Sequence, residues 1–217
     1  MNRLDVICSH IPTCRVLADV GCDHGYCTAY ALKNKLCERA YACDVSAACL
    51  KKAEDLLSDE IAAGRCVGVC TDGMDGVTDA DCVLIAGMGG EEIVRILSRV
   101  KLPQQFILQP MHNAEKVRRY LLERGACIQE DFTFEDGKFY DLITGFGEGG
   151  DVYSDFELRY GRGNLTSPTW AFLKKMRKDV DVMHEALHAN VKRESREKLL
   201  ARLHEAEAVL DAIEERL

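Results

Sequence analysis

A chain of 217 residues accommodates one full-sized domain with a small appendage, and its 47% hydrophobic and 29% charged residues are ordinary for a soluble globular protein. No run approaches the ~20 apolar residues of a membrane span, and Met1 to Arg15 lacks the apolar stretch and cleavage site of a secretory leader, so a cytoplasmic protein is expected. The formal net charge of −8 gives no general attraction to nucleic acid; any such contact needs a local patch.

From Arg15 onward, short β-rich runs alternate with helical ones. Arg15–Val20 is a short apolar run ending at glycine, which predicts a buried strand, and a helix follows over 24–35. Residues 39–43 form a second strand ending at Asp44, and Ser46 caps a helix running to Gly64. Strands are expected at 65–70, 81–86 and 105–109, with helices at 90–99 and 113–124. Such alternation implies a parallel sheet covered on both faces. Two strand-like runs, 126–134 and 139–146, then flank Asp136-Gly137, a hairpin signal that ends the sheet in an antiparallel pair.

Glycines at 145–150 mark a boundary, which divides the chain into 1–152 and 153–217. Beyond it, apolar residues recur every three or four positions from Trp170 to Val191 and again from Leu199 to Leu217. Two amphipathic helices joined by a polar segment at 192–196 predict an antiparallel αα-hairpin with heptad-like seams. Residues 151–217 hold 12 Lys and Arg against 13 Asp and Glu, so this part is nearly neutral. Ten of the eleven cysteines lie between Cys8 and Cys82, without CxxC pairs or a Cys/His cluster. They are read as reduced, small apolar residues, and no metal site is expected.

Chemistry concentrates at strand ends. Asp19-Val20-Gly21-Cys22-Asp23-His24-Gly25 follows the first strand and opens the first helix of the repeat. Its glycines permit a sharp turn and close backbone approach, and the helix N-terminus beyond offers N–H groups to an anion. The spacing is GxxxG rather than the GxGxxG of nicotinamide and flavin proteins, which argues against an oxidoreductase. An aspartate before the turn would repel a pyrophosphate but pair with an ammonium, and S-adenosylmethionine carries an ammonium, a carboxylate and no phosphate. Asp44 stands where a carboxylate accepts ribose hydroxyls, or simply caps a helix. Asp72, within Cys70-Thr71-Asp72-Gly73-Met74, stands where it accepts an adenine amine, or forms an Asx turn. A second glycine cluster, Ala86-Gly87-Met88-Gly89-Gly90, follows the fourth strand, where backbone would face the cofactor methyl group. The expected cofactor-binding set is Asp19, Gly21, Asp23, His24, Gly25, Asp44, Val45, Asp72, Gly73, Ala86, Gly87, Met88 and Gly89.

These residues resemble those of the bacterial tRNA (adenine-N1)-methyltransferases that act on adenine 22. The resemblance spans almost the whole chain: ADVGCDHGY (18–26), TDGM (71–74), IAGMGG (85–90), ILQP (107–110), the run from Arg119 to Glu130, EDGKFYDLI (135–143) and the helical tail. IAGMGG followed about twenty residues later by LQP is the specific part. The resemblance implies a class I Rossmann-like methyltransferase sheet with a C-terminal helical hairpin, S-adenosylmethionine as cofactor and tRNA as partner; a monomer is favoured. It places Met111 where the family has asparagine after LQP, with Asn113 two positions later, and Asp44 where a glutamate is common.

Adenine N1 has an in-plane lone pair, so positioning rather than a strong base drives the expected transfer. Asp72 is the candidate catalytic residue, as a carboxylate beside the developing cation, or it binds cofactor only. Substrate contacts are expected from Gln109, Asn113 and Tyr140, and from Lys174, Lys175, Lys178 and Arg193 of the tail. Tyr140 alternatively packs within its hairpin, and the basic residues form either a clamp for structured RNA or a solvated face. Two rival functions are a methyltransferase of protein or small molecules, and a non-catalytic adenosine-binding module that docks a partner through its hairpin.

Overall fold

In the computed structural model, which describes residues 2–188 and 193–215, the strands form one sheet. Strands β1 (Cys14–Val20), β2 (Cys37–Asp44), β3 (Cys66–Cys70), β4 (Cys82–Met88) and β5 (Gln105–Pro110) run parallel. Strands β6 (Cys127–Asp136) and β7 (Lys138–Phe146) add the expected antiparallel hairpin, β7 pairing with β5. The order is β3-β2-β1-β4-β5-β7-β6. After β1 the chain steps outward to β2 and β3, then returns to place β4 on the other side of β1. At that reversal the connections leave in opposite directions and open a crevice beyond the carboxyl ends of the strands.

The helices are α1 (Arg3–Ser9), α2 (Tyr26–Lys33), α3 (Ala47–Leu56), α4 (Ser58–Ala62), α5 (Gly90–Ser98), α6 (Ala114–Glu123), α7 (Asp155–Tyr160), α8 (Arg162–Thr166), α9 (Trp170–His188) and α10 (Arg193–Glu214). Alternate strand residues feed two apolar layers, as a sheet buried on both faces requires. Leu17, Leu84, Ile107 and Leu142 pack with Ile7, Ala31 and Leu50 of α1, α2 and α3. Ala18, Val20, Val83, Ile85, Leu108 and Ile143 pack with Ile93, Leu97, Val117 and Leu121 of α5 and α6. Asp19 falls on the α1–α3 face, between neighbours that face the other way.

The structure departs from the sequence expectations at several points. The helix expected from His24 starts at Tyr26, because Gly25 at φ 74° is its N-cap. The helix expected from Ser46 to Gly64 is two, broken at Leu57, whose side chain is buried. Segment 2–9 holds an unexpected helix, α1, fixed by an Asn2/Asp5 capping box. Between the sheet and the long helices lie α7 and α8, also unforeseen.

The long helices form the expected hairpin around Phe172, Leu173, Met176, Ala206, Val209 and Ile213. Trp170, counted in the apolar seam, is instead 74% exposed. The polar segment at 193–196 is already helical, while Val191 and Leu217 lie outside the described residues.

A buried polar seam ties this tail to the sheet edge. Arg118 of α6 donates from Nε and Nη2 to the Asp131 carboxylate of β6 at 2.8 Å, and from Nη1 to the Leu158 and Arg159 carbonyls. Both side chains are 1% exposed. Next to it, the Thr133 N–H donates to Asn164 of α8, and Thr169 Oγ1 donates to the Thr133 carbonyl. Lys175 of α9 pairs with Asp141 of β7 at 3.1 Å. Edge strand β6 is thereby covered rather than left as a free pairing template.

Removing one member of the buried pair strands the other charge. Asp131→Ala is expected to lower unfolding free energy by about 3–5 kcal/mol in urea titration, and the double variant R118M/D131L by clearly less. Equal losses in the two would show that shape rather than charge holds the seam.

Candidate active site

The first wall of the crevice is the turn after β1. The N–H groups of Gly21 and Cys22 both donate to the Cys43 carbonyl of β2, which folds the turn back on the neighbouring strand. Gly21 adopts φ 74° and Asp23 φ 49°, the left-handed region that glycine enters freely. Gly25 adopts φ 74°, and a Cβ there would meet Ala53 of α3 and Leu57 just beyond it at 3.0–3.1 Å. Its requirement is close packing of α2 on α3.

Asp19 is 4% exposed. Its Oδ2 accepts the Thr28 hydroxyl at 2.7 Å and the Thr28 N–H at 3.2 Å, which pins the first turn of α2. Its Oδ1 has no partner among the described residues. Burial pushes the carboxyl up to about 6, against the two hydrogen bonds from Thr28 and with a further push from Asp44. Asp44, at the end of β2, accepts the Asp23 N–H at 3.0 Å and the Ser46 N–H at 2.8 Å. It thus sets the loop before α2 and the start of α3 together. Asp23 and His24 form an outer pair at 2.9 Å, and His24 stacks on Tyr26 at 5.6 Å. Val45 is exposed beside them.

Asp72 follows β3 with its side chain half exposed. Its carboxylate takes both Nη atoms of Arg95 of α5, at 2.7 and 2.8 Å, with Arg99 at 3.4 Å. These partners, Arg95 first, hold the carboxyl below its usual range. Gly73 at φ 85° lies against Ile96 and Arg99, so residues 72–73 are keyed to α5. The two arginines give no sequence signal beyond their place on a helix.

The second glycine cluster is explained by close approach of other parts of the chain. A Cβ at Gly87 would lie 2.6 Å from a guanidinium nitrogen of Arg3, and one at Gly89 2.6 Å from the His112 ring. At Gly90 it would strike the backbone of Asn113. Backbone hydrogen bonds Gly90 N–H to His112 carbonyl and Met111 N–H to Met88 carbonyl lock the two loops together. The Met88 side chain extends over Gly21, across the crevice between β4 and β1. Ala86 is half-buried at the end of β4.

The expected substrate residues divide. Gln109 is fully buried: its Oε1 accepts Arg3 Nε–H at 2.7 Å and its amide donates to the Pro110 carbonyl. Asn113, at φ 58°, is the N-cap residue of α6 and donates to Glu91, which also holds Lys116. Tyr140 stacks on Phe134 at 5.5 Å and lies 5.4 Å from the Arg3 guanidinium. Gln109 and Tyr140 thus meet at Arg3, which sequence reasoning missed; the signal was the Asn2–Asp5 capping box ahead of Val6 and Ile7. On the hairpin, Lys174 pairs with Glu135 and Lys175 with Asp141, while Lys178 is exposed without an ion-pair partner among the described residues. The Arg193 side chain lies outside the described residues.

An open α/β sheet with acidic residues and positive-φ glycines at the ends of its first strands suits a nucleoside-type ligand, and residues 1–143 match a family model described as a methyltransferase domain. The tRNA (adenine(22)-N(1))-methyltransferase of Bacillus subtilis (strain 168) is 31% identical over 188 residues, 80% of this chain and 78% of that protein. The chain belongs to that family. Two solved structures share the fold. The M. capricolum TrmK in complex with S-adenosyl-homocysteine has a TM-score of 0.88 at 20% identity over 97% of each chain. The B. subtilis m1A22 tRNA methyltransferase TrmK has a TM-score of 0.84 at 23% identity, over 96% of this chain and 97% of that one. Among the described residues no helix is long and apolar enough to cross a membrane, and no group of three or more His, Cys, Asp or Glu side chains is placed to hold a metal ion.

The raised Asp19 carboxyl has a stability consequence. Between pH 3.8 and about 6 the folded chain binds more protons at this site than the unfolded one, so its contribution declines as pH rises through that window. Asp19→Asn removes the titration while keeping an acceptor for Thr28. The stability of D19N relative to the parent should therefore rise from pH 4 to pH 6 and level off by pH 7, in thermal melts at each pH. A difference that does not vary with pH would refute the buried-charge assignment.

Proposed function

We propose that the chain transfers the methyl group of S-adenosylmethionine to N1 of adenine 22 in tRNA, in the cytoplasm. The observation that carries this reading is the crevice at the ends of β1, β2 and β4, lined by Asp19, Gly21 and Asp44 in a chain 31% identical to the B. subtilis enzyme over 188 residues.

The site suits that cofactor, whose sulfonium supplies an activated methyl group. An ionised Asp19 offers its unpartnered Oδ1 to an ammonium. The first turn of α2, capped by Gly25 without a side-chain acceptor, leaves N–H groups for a carboxylate. A carboxylate has about four lone-pair sites; Asp44 uses two on Asp23 and Ser46 and keeps the others for ribose hydroxyls. Asp23, His24, Val45 and Gly73 complete the rim, and Ala86 to Gly89 bound the methyl end. Met88, unbranched and flexible, is the side chain that shifts to clear Gly21.

At the acceptor, the N1 lone pair needs no base to become nucleophilic. The chain's task is alignment, which can supply ~7 to 11 kcal/mol. N1 lies on the pairing edge, so the adenine must leave its stack to reach the crevice. We assign residues 153–217 as an appended unit that contacts the tRNA, with Lys178 the basic side chain most available for it. Asp72 serves by fixing the cofactor rim through Arg95 rather than by touching the base.

Incubation of the protein with tRNA and cofactor, followed by nuclease digestion and mass spectrometry, is expected to yield 1-methyladenosine mapping to position 22. Cofactor binding without any methylated nucleoside would overturn the reading in favour of an adenosine-binding module. For Asp72→Ala, cofactor affinity should fall about tenfold, while the single-turnover rate at saturating cofactor stays within about threefold. A single-turnover loss of roughly a hundredfold with unchanged affinity would instead make Asp72 catalytic.

A further inference from the structure

Arg3, the first residue of α1, reaches across to the antiparallel end of the sheet. Its backbone N–H donates to Asp136 Oδ2 at 2.8 Å, which fastens α1 to the β6–β7 turn. From there the half-buried side chain crosses the carboxyl edge of the sheet to three strands: Gly87 at the end of β4, Gln109 at the end of β5 and Tyr140 on β7. Nε is committed to Gln109 Oε1 at 2.7 Å. Gln109 is itself fully buried and held by its own amide, so the guanidinium plane is fixed. The remaining nitrogens, Nη1 and Nη2, have no hydrogen-bond acceptor and no carboxylate within 4.0 Å among the described residues. Gly87 is the residue that makes room for them, since any Cβ there would collide with Nη2.

An aimed guanidinium edge without an anion, held by a buried amide and an aromatic ring, is a receptor for a phosphate or carboxylate. Its place decides which. The cofactor-type groups, Asp19, Gly21 and Asp44, line β1 and β2, whereas Arg3 lies over β4, β5 and β7, on the acceptor side of the strand reversal. A guanidinium gains nothing beside N1 itself, because methylation leaves the base cationic. A phosphate flanking an extruded nucleotide remains anionic throughout.

We propose that Arg3 binds a backbone phosphate of the nucleotide presented to the crevice and so sets the depth to which the target adenine enters. This rests on the tRNA reading above. The full chain, saturated with S-adenosyl-homocysteine, would be titrated with tRNA at several salt concentrations as parent, Arg3→Gln and Arg3→Lys. Arg3→Gln is expected to weaken tRNA binding about tenfold and to reduce the slope of log K against log salt by about 0.7 to 0.9, one phosphate contact. Affinity for S-adenosyl-homocysteine should stay within twofold. Arg3→Lys keeps the charge and loses the fork, so it should restore the slope but only part of the affinity; it carries the test by its reduced affinity alone if Arg3→Gln does not fold.

Unchanged tRNA affinity and slope in Arg3→Gln, or unchanged affinity in Arg3→Lys, would overturn the proposal. Loss of S-adenosyl-homocysteine binding with an unchanged salt slope would overturn it too, assigning the guanidinium to the cofactor carboxylate. Failure of the parent chain itself to bind tRNA would refute the tRNA reading instead.

Discussion

The strand reversal between β1 and β4 is the constraint on which the site depends. Parallel strands need crossovers, and crossovers that leave in opposite directions from adjacent strands cannot both cover the ground between them. The gap they leave opens at the carboxyl ends, where the loops are. Everything that follows is a question of what each loop is made of. Asp19 can be a buried carboxylate because β1 is the central strand at the gap, shielded by β2 and β4 and by α2. Asp44 can serve two loops because β2 ends one residue from the start of the β1 turn in register, with Val20 opposite Cys43.

The glycines illustrate how one residue type answers different demands in the same site. Gly21 turns the chain and leaves space that Met88 enters from β4. Gly25 brings α2 onto α3, and Gly90 brings the start of α5 onto the loop after β5. Gly87 opens room for Arg3. The second glycine cluster, expected to face the cofactor methyl group, is crowded by the protein's own Arg3, His112 and Asn113. These contacts hold the loops after β4 and β5 against one another at the crevice wall.

What the sequence makes legible follows from periodicity and punctuation. Strand runs such as Cys82–Ile85, fully buried on both faces, and the Asp136-Gly137 turn carry their signals locally, so the sheet and its terminal hairpin are readable. So are the positions of Asp19 and Asp44 near the ends of β1 and β2. Side-chain commitments across long separations are not readable. Nothing near Asp72 announces Arg95, nothing near Gln109 announces Arg3, and Trp170 fits the helical seam by spacing yet faces solvent while Phe172 and Leu173 of the same turn fill the hairpin core. Short helices such as α7 and α8 escape because they are shorter than two turns and show no amphipathic period, although the Ser154/Glu157 capping box marks the start of α7.

The same distinction bears on how an acidic protein engages a polyanion. Lysines expected to form a clamp on α9 are largely spent within the chain: Lys174 on Glu135 and Lys175 on Asp141. Pairs of that kind neutralise the field that would steer RNA from a distance, so the surface offers little non-specific attraction. Recognition must then come from a few charges placed where only the correct geometry reaches them. Lys178 on the hairpin and Arg3 beside Gly87 meet that description. A base extruded from its stack carries its phosphate with it, and one guanidinium at the mouth reads that displacement without reading the base. On the reading proposed above, shape would select the tRNA and the fixed cation the nucleotide that has left the helix.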